Sequence, residues 1–320
     1  MLLYLLSTLN LRFAVYCGTA LSFLFTAVLI ANLKDKLPRD GGREFAVNGK
    51  LSAGKVRGVG IVFVSVFVFF CFLFLPLSPE RSINLVLLYA AMITGFLDDA
   101  AKTPWGEYKK GILDLLISVG IAVNYVYFNG STLNLTLFRC SVKLPAILFV
   151  ILAAILVWVS INVTNCTDGV DSLSATLTII TLFSFWTTAF ATGLAAEEQG
   201  MILFFLAVLL AYLWMNAKPS IVLMGDAGSR AMGVVIALIA LKSGSPLLYL
   251  PFALVMILDG GLGLLKVSLK RFLKISIFKN TIMPLHDQVR KKNEWSDPQT
   301  VFRFAILQAA VSFAIGGLLV

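Results

Sequence analysis

The sequence predicts an all-α polytopic membrane protein with about ten transmembrane helices. Hydrophobic residues make up 59% of the 320-residue chain, charged residues only 13%, and the mean hydropathy is +0.91. Soluble domains hold roughly 45–50% apolar and about 25% charged residues. The longest polar stretches, 34–58 and 266–301, are too short to bury a core of their own. We therefore expect one integral-membrane domain over residues 1–320.

The predicted helices follow the apolar windows of the chain. Several windows are shorter than the roughly 20 residues that cross a bilayer, and 229–241 and 246–265 can also be read differently. The ninth window is expected to be bent or broken, because Gly260, Gly261 and Gly263 lie beside Asp259. The chain shows no signal-peptide cleavage pattern, so its first apolar segment is read as a retained span. In order, the windows are 12–33, 59–77, 83–97, 111–128, 144–162, 172–192, 201–215, 229–241, 246–265 and 302–319.

The basic residues divide unevenly between the two sides of this ten-span arrangement. One set of alternate connections holds 21 of the 26 lysines and arginines, and the positive-inside rule makes that side cytoplasmic. Both termini are then expected outside the cytoplasm. This face explains the net charge of +9. It either only sets topology and attracts anionic lipid headgroups, or it also binds a phosphorylated substrate. The connections are 34–58, 98–110, 216–230 and 266–303.

Five carboxylates are expected at the same membrane edge. Each has a structural alternative: Asp98 and Asp99 end a helix at water, Asp168 caps the next span with Asp171 in its first turn, and Asp226 lies in a turn. Acids that lie this close repel one another unless a cation separates them. Their grouping on the basic side therefore favours a binding site over five separate helix ends.

Amide side chains extend this acidic group. Asn162 and Asn165 precede Asp168 and Asp171 at three-residue spacing, which places all four on nearly one helix face. Carboxylates with nearby lysines suit Mg²⁺ and substrate phosphates, and a remaining carboxylate can act as a base. These parts indicate metal-assisted phosphoryl transfer. Walker and Rossmann glycine patterns are absent, so neither ATP, NAD nor a nucleic-acid partner is expected.

Four segments, in this order and spacing, resemble the polyprenyl-phosphate N-acetylhexosamine-1-phosphate transferases, and within them the phospho-MurNAc-pentapeptide translocase (MraY) family, over roughly residues 35–304. The resemblance implies a bacterial cytoplasmic-membrane enzyme, a homodimer with a cytoplasm-facing cleft. Such an enzyme transfers phospho-MurNAc-pentapeptide from UDP-MurNAc-pentapeptide to undecaprenyl phosphate with Mg²⁺, giving lipid I and UMP. The segments are GFLDDAAK, NVTNCTDGVDSLSA, MNAKPSIVLMGDAGSRAMG and MPLHDQVRKKNEWSDPQTVFRF.

The resemblance also implies roles for individual residues. Asp98, beside Asp99, matches the group that deprotonates or positions the lipid phosphate. Asp226 matches the aspartate linked to Mg²⁺, and His286 keeps the first position of a three-histidine motif. The remaining matches line the nucleotide-sugar cleft or lie near the phosphates: Lys102, Asn165, Asp168, Gly169, Val170, Asp171 and Asn216.

The chain departs from the family pattern in three places. Asp287 and Gln288 replace the second and third histidines. In the segment after the first span, either Lys50 corresponds to the family lysine, or its function is taken by Lys55 or Arg57. Leu223 stands where an aromatic residue is expected to stack on uracil.

Two alternatives follow. One is a relative that uses another sugar, such as UDP-GlcNAc. The other is a secondary transporter, in which Asp259 and Asp114 would serve as membrane-embedded acids.

Overall fold

The computed structural model describes residues 11–42, 52–101, 103 and 105–319. Each predicted apolar window overlaps helical structure in these ranges. Shorter helical pieces lie at Lys34–Lys36, Ala189–Thr192 and between Pro246 and Gly261. The longer helices are α1 (Leu11–Leu33), α2 (Gly60–Phe74), α3 (Pro79–Asp99), α4 (Glu107–Asn129), α5 (Ala146–Thr167), α6 (Leu173–Thr187), α7 (Ala196–Asn216), α8 (Gly225–Lys242), α9 (Leu262–Phe272), α10 (Leu285–Lys292) and α11 (Asp297–Leu319).

Six of these helices are long and apolar enough to cross a membrane: α1, α3, α4, α5, α7 and α11. A bent pair, Pro246–Phe252 with Leu254–Phe272, makes a seventh candidate span. Helices α2 and α6 have 15 residues each, about 22 Å at 1.5 Å per residue, which is less than the roughly 30 Å of hydrocarbon core. The chain is therefore a mostly helical polytopic membrane protein, and the count of ten spans stays a prediction.

A bend in the ninth window is confirmed, but the break lies at Ala253, before the glycines that predicted it. The two halves of the bent pair meet at 73°, and a π-turn at Ile257–Gly261 follows the break. Gly260 allows this turn to approach α5 closely, because a Cβ at Gly260 would lie 2.5 Å from the Val163 carbonyl oxygen and 2.8 Å from Thr167 Oγ1. A side chain there would push the bent segment away from α5.

The all-α prediction was incomplete, because the connection between α4 and α5 forms a β-hairpin. Strands β1 (Thr132–Leu135) and β2 (Cys140–Lys143) pair in antiparallel register. The Asn134 amide donates to the Gly244 carbonyl oxygen at 3.0 Å, which fixes the hairpin to the end of α8. Strands of four residues are too short to show an alternating pattern in the sequence.

Helix α8 lies at the centre of the bundle, and every residue from Ala227 to Leu241 is buried. Glycines permit its first turn to touch two neighbouring helices. A Cβ at Gly95 in α3 would lie 2.4 Å from the Asp226 carbonyl oxygen, and one at Gly60 in α2 would lie 2.1 Å from the Gly228 amide nitrogen. The start of α8 is thus held against the end of α3 and the start of α2.

A cluster of ion pairs joins the helices at the opposite end of the bundle. Lys242 Nζ, in the last turn of α8, lies 2.9 Å from Glu80 Oε2 and 3.9 Å from Glu198 Oε1. Arg81 NH2 lies 3.3 Å from the same Glu198 oxygen. Because these groups are mostly buried and paired, they hold the starts of α3 and α7 to the end of α8.

Candidate active site

Asp99 caps the start of α8. The amides of Asp226 and Ala227 donate to its two carboxylate oxygens at 3.0 and 3.1 Å, and its side chain is fully buried. A carboxylate here satisfies amides that the helix leaves without partners and faces the positive end of the helix dipole. Gly225 makes room for the cap: it has φ +67, and a Cβ there would lie 2.1 Å from Asp99 Oδ2. Asp99 therefore fixes where Asp226 lies.

Arg57 connects three carboxylates. Its Nε donates to Asp99 Oδ1 at 2.8 Å, its NH1 donates to Asp40 Oδ1 at 3.2 Å, and its NH2 lies 3.6 Å from Asp226 Oδ1. Burial lowers the pKa of Arg57, but the charges of Asp99, Asp226 and Asp40 outweigh burial and raise this pKa. The guanidinium therefore stays charged. Backbone pairing with an earlier segment positions Arg57, since its backbone amide donates to the Pro38 carbonyl oxygen at 2.8 Å.

Lys110 is the second cation between the acids. Its amine forms an ion pair with Asp98 Oδ2 and lies 3.2 Å from Asp226 Oδ2. The Trp105 amide donates to the other oxygen of Asp98 at 2.7 Å. Lys110 was predicted only as a basic residue of the 98–110 connection. Its place in the first turn of α4, after a short α3–α4 connection, was the signal that it faces Asp98. Lys102 lies outside the described residues.

Arg230 links Asp226 to a buried acid in α4. Its NH1 lies 3.3 Å from Asp114 Oδ1, and its NH2 lies 3.9 Å from Asp226 Oδ2. Among the described residues, the cluster holds five carboxylates and three cations, so two negative charges remain when all of these are ionised. The carboxylates are Asp40, Asp98, Asp99, Asp114 and Asp226, and the cations are Arg57, Lys110 and Arg230.

The excess negative charge fits a divalent cation, and Asp226 is the most accessible ligand. Its side chain is 13% exposed, against 3% for Asp98 and 0% for Asp99. The described residues form no group of three or more His, Cys, Asp or Glu placed to hold a metal. Mg²⁺ commonly binds through one or two carboxylates and completes its shell with water and substrate phosphates. The residues present therefore fit an ion that the substrate helps to hold.

The polar residues predicted at the end of α5 face α8 and α6. Asn165 Nδ2 donates to Ser229 Oγ at 2.9 Å, one turn along α8 from Asp226. The Ser174 hydroxyl, in the first turn of α6, donates to Asp168 Oδ1 at 2.7 Å. The structure thus brings Asn165 beside the first turns of α8, close to Asp226, while Asp168 joins α5 to α6.

Lys55 connects the loop after α5 to the loop before α8. Its amine lies 3.1 Å from Asp171 Oδ2 and donates to Ser220 Oγ at 2.6 Å. Val170, beside Asp171, is buried. Lys55 and Arg57 therefore have different partners, and Lys50, the third candidate for the family lysine, lies outside the described residues.

Asn216 and Leu223 hold the loop before α8. Asn216 is buried; its Oδ1 accepts from the Ser172 amide and its Nδ2 donates to the Val222 carbonyl oxygen, both at 2.7 Å. The Leu223 amide donates to the Val56 carbonyl oxygen at 2.7 Å. Both polar atoms of the Asn216 side chain bind the backbone, so in this structure it ties two loops together.

His286, the single histidine of the chain, is buried and bonded to Asp259. Its backbone amide lies 2.7 Å from Asp259 Oδ1, and its Nδ1 lies 2.9 Å from Asp259 Oδ2. The other ring nitrogen, Nε2, faces Gly169, where a Cβ would lie 2.2 Å away. Sequence reasoning gave Asp259 a role in the bend and missed this pair. The available signal was that an acid lies within an apolar window and that the chain has a single histidine to pair with it.

Comparison with known proteins gives consistent matches. The model of glycosyl transferase family 4 matches residues 82–244. A phospho-N-acetylmuramoyl-pentapeptide-transferase of Treponema pallidum (strain Nichols) is 39% identical, over 96% of this chain and 90% of the relative. The protein of that name from Clostridium botulinum (strain Eklund 17B / Type B) is 32% identical over 81% and 80%, and that from Brachyspira hyodysenteriae is 28% identical over 92% and 89%.

Proposed function

The chain belongs to the phospho-N-acetylmuramoyl-pentapeptide-transferases of glycosyl transferase family 4, and from this membership we propose its substrates and metal. It is a membrane transferase of peptidoglycan biosynthesis. The proposed donor is UDP-MurNAc-pentapeptide, the acceptor is undecaprenyl phosphate, and the products are lipid I and UMP, with Mg²⁺ required. The observation that carries the proposal is the position of Asp226, at the start of α8 among Arg57, Lys110 and Arg230.

The cluster is suited to handling phosphate charge. Arg57 is fixed by three carboxylates, so it is already oriented when negative charge shifts during transfer. Asp226 is the carboxylate that would hold Mg²⁺, which neutralises phosphate oxygens when bound. Asp98 would accept the acceptor's proton or orient the attacking phosphate, once Lys110 turns from Asp98 to the substrate. Direct attack by the lipid phosphate is the simplest route.

The nucleotide end of the donor would bind beside this cluster. Asn165, Asp168 and Asp171 lie on the α5–α6 connection, with Gly169 and Val170 between the two acids. Lys55 keeps Asp171 in place through a 3.1 Å ion pair. Uridine and sugar hydroxyls offer the hydrogen-bonding groups that such carboxylates and amides recognise. Leu223 would provide an apolar contact to uracil in place of a stacked ring.

The site is proposed to face the cytoplasm. Its side chains come from the ends of α3 and α5 and from the starts of α4 and α8, which form one end of the bundle. The connections at this end carry most of the lysines and arginines, as a cytoplasmic face requires. We further propose ten spans in one domain, a homodimer in the bacterial cell membrane, and both termini outside the cytoplasm.

A transferase for another UDP-sugar, such as UDP-GlcNAc, is the second candidate. It is favoured by Asp287, which takes the place of a family histidine and lies 3.4 Å from the Arg290 guanidinium. A transporter has less support, since the acids considered for it, Asp114 and Asp259, are both paired internally.

One assay separates these functions. The purified protein is incubated with Mg²⁺, undecaprenyl phosphate and each UDP-sugar in turn, and UMP release is measured. We expect release with UDP-MurNAc-pentapeptide and none when the lipid is omitted or Asp226 is replaced by Asn. Release with UDP-GlcNAc alone would replace the proposed donor. Flux of a substrate into proteoliposomes without UMP release would replace the enzyme by a transporter.

A further inference from the structure

An apolar groove lies between α1 and α2. Its volume is about 460 Å³, within the roughly 300–1,000 Å³ of sites that hold small molecules. The walls are aliphatic and aromatic, including Leu29 of α1 and Val66 of α2. Phe25 and Phe69, which also line it, are more than half exposed, so the groove opens toward the lipid that surrounds a membrane protein.

One charged residue, Lys36, lines this groove. Lys36 lies just after α1, where the chain leaves the membrane, and it is exposed. Within the described ranges 11–42, 52–101, 103 and 105–319, its amine forms no hydrogen bond or ion pair, whereas nearby Arg39 lies 3.6 Å from Asp35. An apolar groove with an unpaired ammonium group at its end is complementary to a lipid with a long hydrocarbon chain and an anionic head.

The groove adjoins the acidic cluster along the chain. Leu37, which lines the groove, precedes Pro38, and the Pro38 carbonyl oxygen accepts the Arg57 amide at 2.8 Å. On the opposite wall, Ile61 lies in the first turn of α2, four residues after Arg57. The Arg57 guanidinium in turn binds Asp99. Both walls therefore connect directly to the residue that bridges the carboxylates.

We propose that this groove binds the acceptor: an isoprenoid lipid phosphate, held by the isoprene units next to its phosphate, which faces Lys36 on the way to Arg57. The inference rests on the proposed function, because it assigns a binding site to the acceptor of that reaction. An ordinary bilayer lipid would satisfy the apolar walls equally well. Both walls of the groove lead along the chain to Arg57, and this connection favours the substrate over a lipid that merely fills the groove.

The first test uses two groove variants with matched controls. Ser65→Trp fills the groove and Lys36→Glu reverses its charge. Ile147→Trp, at a side chain 77% exposed on α5, introduces a tryptophan elsewhere, and Lys34→Glu, on the same short helix as Lys36, makes the same charge reversal outside the groove. We expect the KM for undecaprenyl phosphate to rise about five- to tenfold in the groove variants, since one lysine near a membrane surface contributes on the order of this factor.

The KM for the UDP-sugar should stay within twofold of the wild type, and the control variants should keep both constants. Unchanged acceptor KM in both groove variants, with folding verified by thermal unfolding, would overturn the proposal. A rise in both KM values would also overturn it, because that result indicates a general disturbance of the site.

A second test requires no turnover. A polyprenyl phosphate with a diazirine on the isoprene unit next to the phosphate is cross-linked to the wild-type protein, and labelled peptides are mapped. Labelling of α1 and α2 that undecaprenyl phosphate suppresses, and phosphatidylglycerol does not, supports the proposal. Labelling elsewhere, or equal suppression by phosphatidylglycerol, overturns it. If the wild type releases no UMP with any donor, the proposed function fails separately from the groove.

Discussion

Replacing Asp259 by Asn is expected to reverse the proton position on His286 without removing the bend. In the wild type, Nδ1 faces the Asp259 carboxylate at 2.9 Å, so in the neutral ring Nδ1 carries the proton and Nε2, 3.9 Å from Asp287 Oδ1, is the acceptor nitrogen. The asparagine side chain keeps one oxygen for the His286 backbone amide. Its NH₂ group then faces Nδ1 and stabilises the tautomer protonated on Nε2, the nitrogen that lies against Gly169.

The magnitude follows from the number of buried hydrogen bonds. Asp259→Ala removes the acceptor for the backbone amide and for Nδ1, both buried. Each unsatisfied group costs about 1–3 kcal/mol, so the alanine variant should lose roughly 2–6 kcal/mol of stability. Asp259→Asn leaves both groups with partners and should lose less than about 2 kcal/mol. If Nε2 accepts a proton or a substrate hydrogen bond, kcat should still fall by about 10²-fold or more.

The assay combines UMP release, thermal unfolding and ¹⁵N-histidine NMR. The chain has one histidine, so the two ring nitrogens give one assignable pair of signals. The Asp259→Glu variant, which keeps the carboxylate, should retain more activity than the Asp259→Asn variant. A folded Asp259→Asn protein with the tautomer reversed and kcat within threefold of the wild type would refute a role for Nε2. An unchanged tautomer would refute the reasoning about the hydrogen bond itself.

Three further predictions concern neighbouring residues. Arg57→Lys keeps the charge but loses the planar group that reaches Asp99 and Asp40 at once; we expect UMP release to fall more than about tenfold, and activity equal to the wild type would contradict this. Gly169→Ala places a methyl group 2.2 Å from His286 Nε2 and should destabilise the protein by about 1–3 kcal/mol. Thermal unfolding measures this loss, with Gly111→Ala, at a position with open space around it, as the control. Chelation with EDTA should stop UMP release and Mg²⁺ should restore it in the wild type but not in Asp226→Asn; full activity in EDTA would refute a divalent metal.

The sequence predicted the parts of the fold and site that depend on local pattern. Apolar windows indicated the helices, because they are properties of neighbouring residues. Glycines beside Asp259 indicated that the ninth window is bent, although the break itself lies at Ala253. The acids Asp98, Asp99 and Asp226 were found because they end or begin predicted spans on one side. The structure brings these three together.

Contacts between distant segments were beyond such reasoning. Arg57 was only one of three candidates for a family lysine, and its three carboxylate partners depend on the chain pairing between Pro38 and Arg57. The bond between Asp259 and His286 depends on how the bent segment meets α10, 27 positions along the chain. Asn216 looked like a cleft amide, since nothing in its neighbourhood indicates that both its polar atoms bind loops.

The cap that Asp99 forms on α8 bears on how inhibitor resistance could arise. Gly225 tolerates no side chain because the Asp99 carboxylate occupies that space, and Gly95 and Gly60 are closed by backbone atoms of the same helix start. A compound whose binding depends on the position of this buried junction could be escaped there only by mutations that also destabilise the fold. Contacts to Leu223 or Asp287, where this chain already departs from the family pattern, would give resistance an easier route.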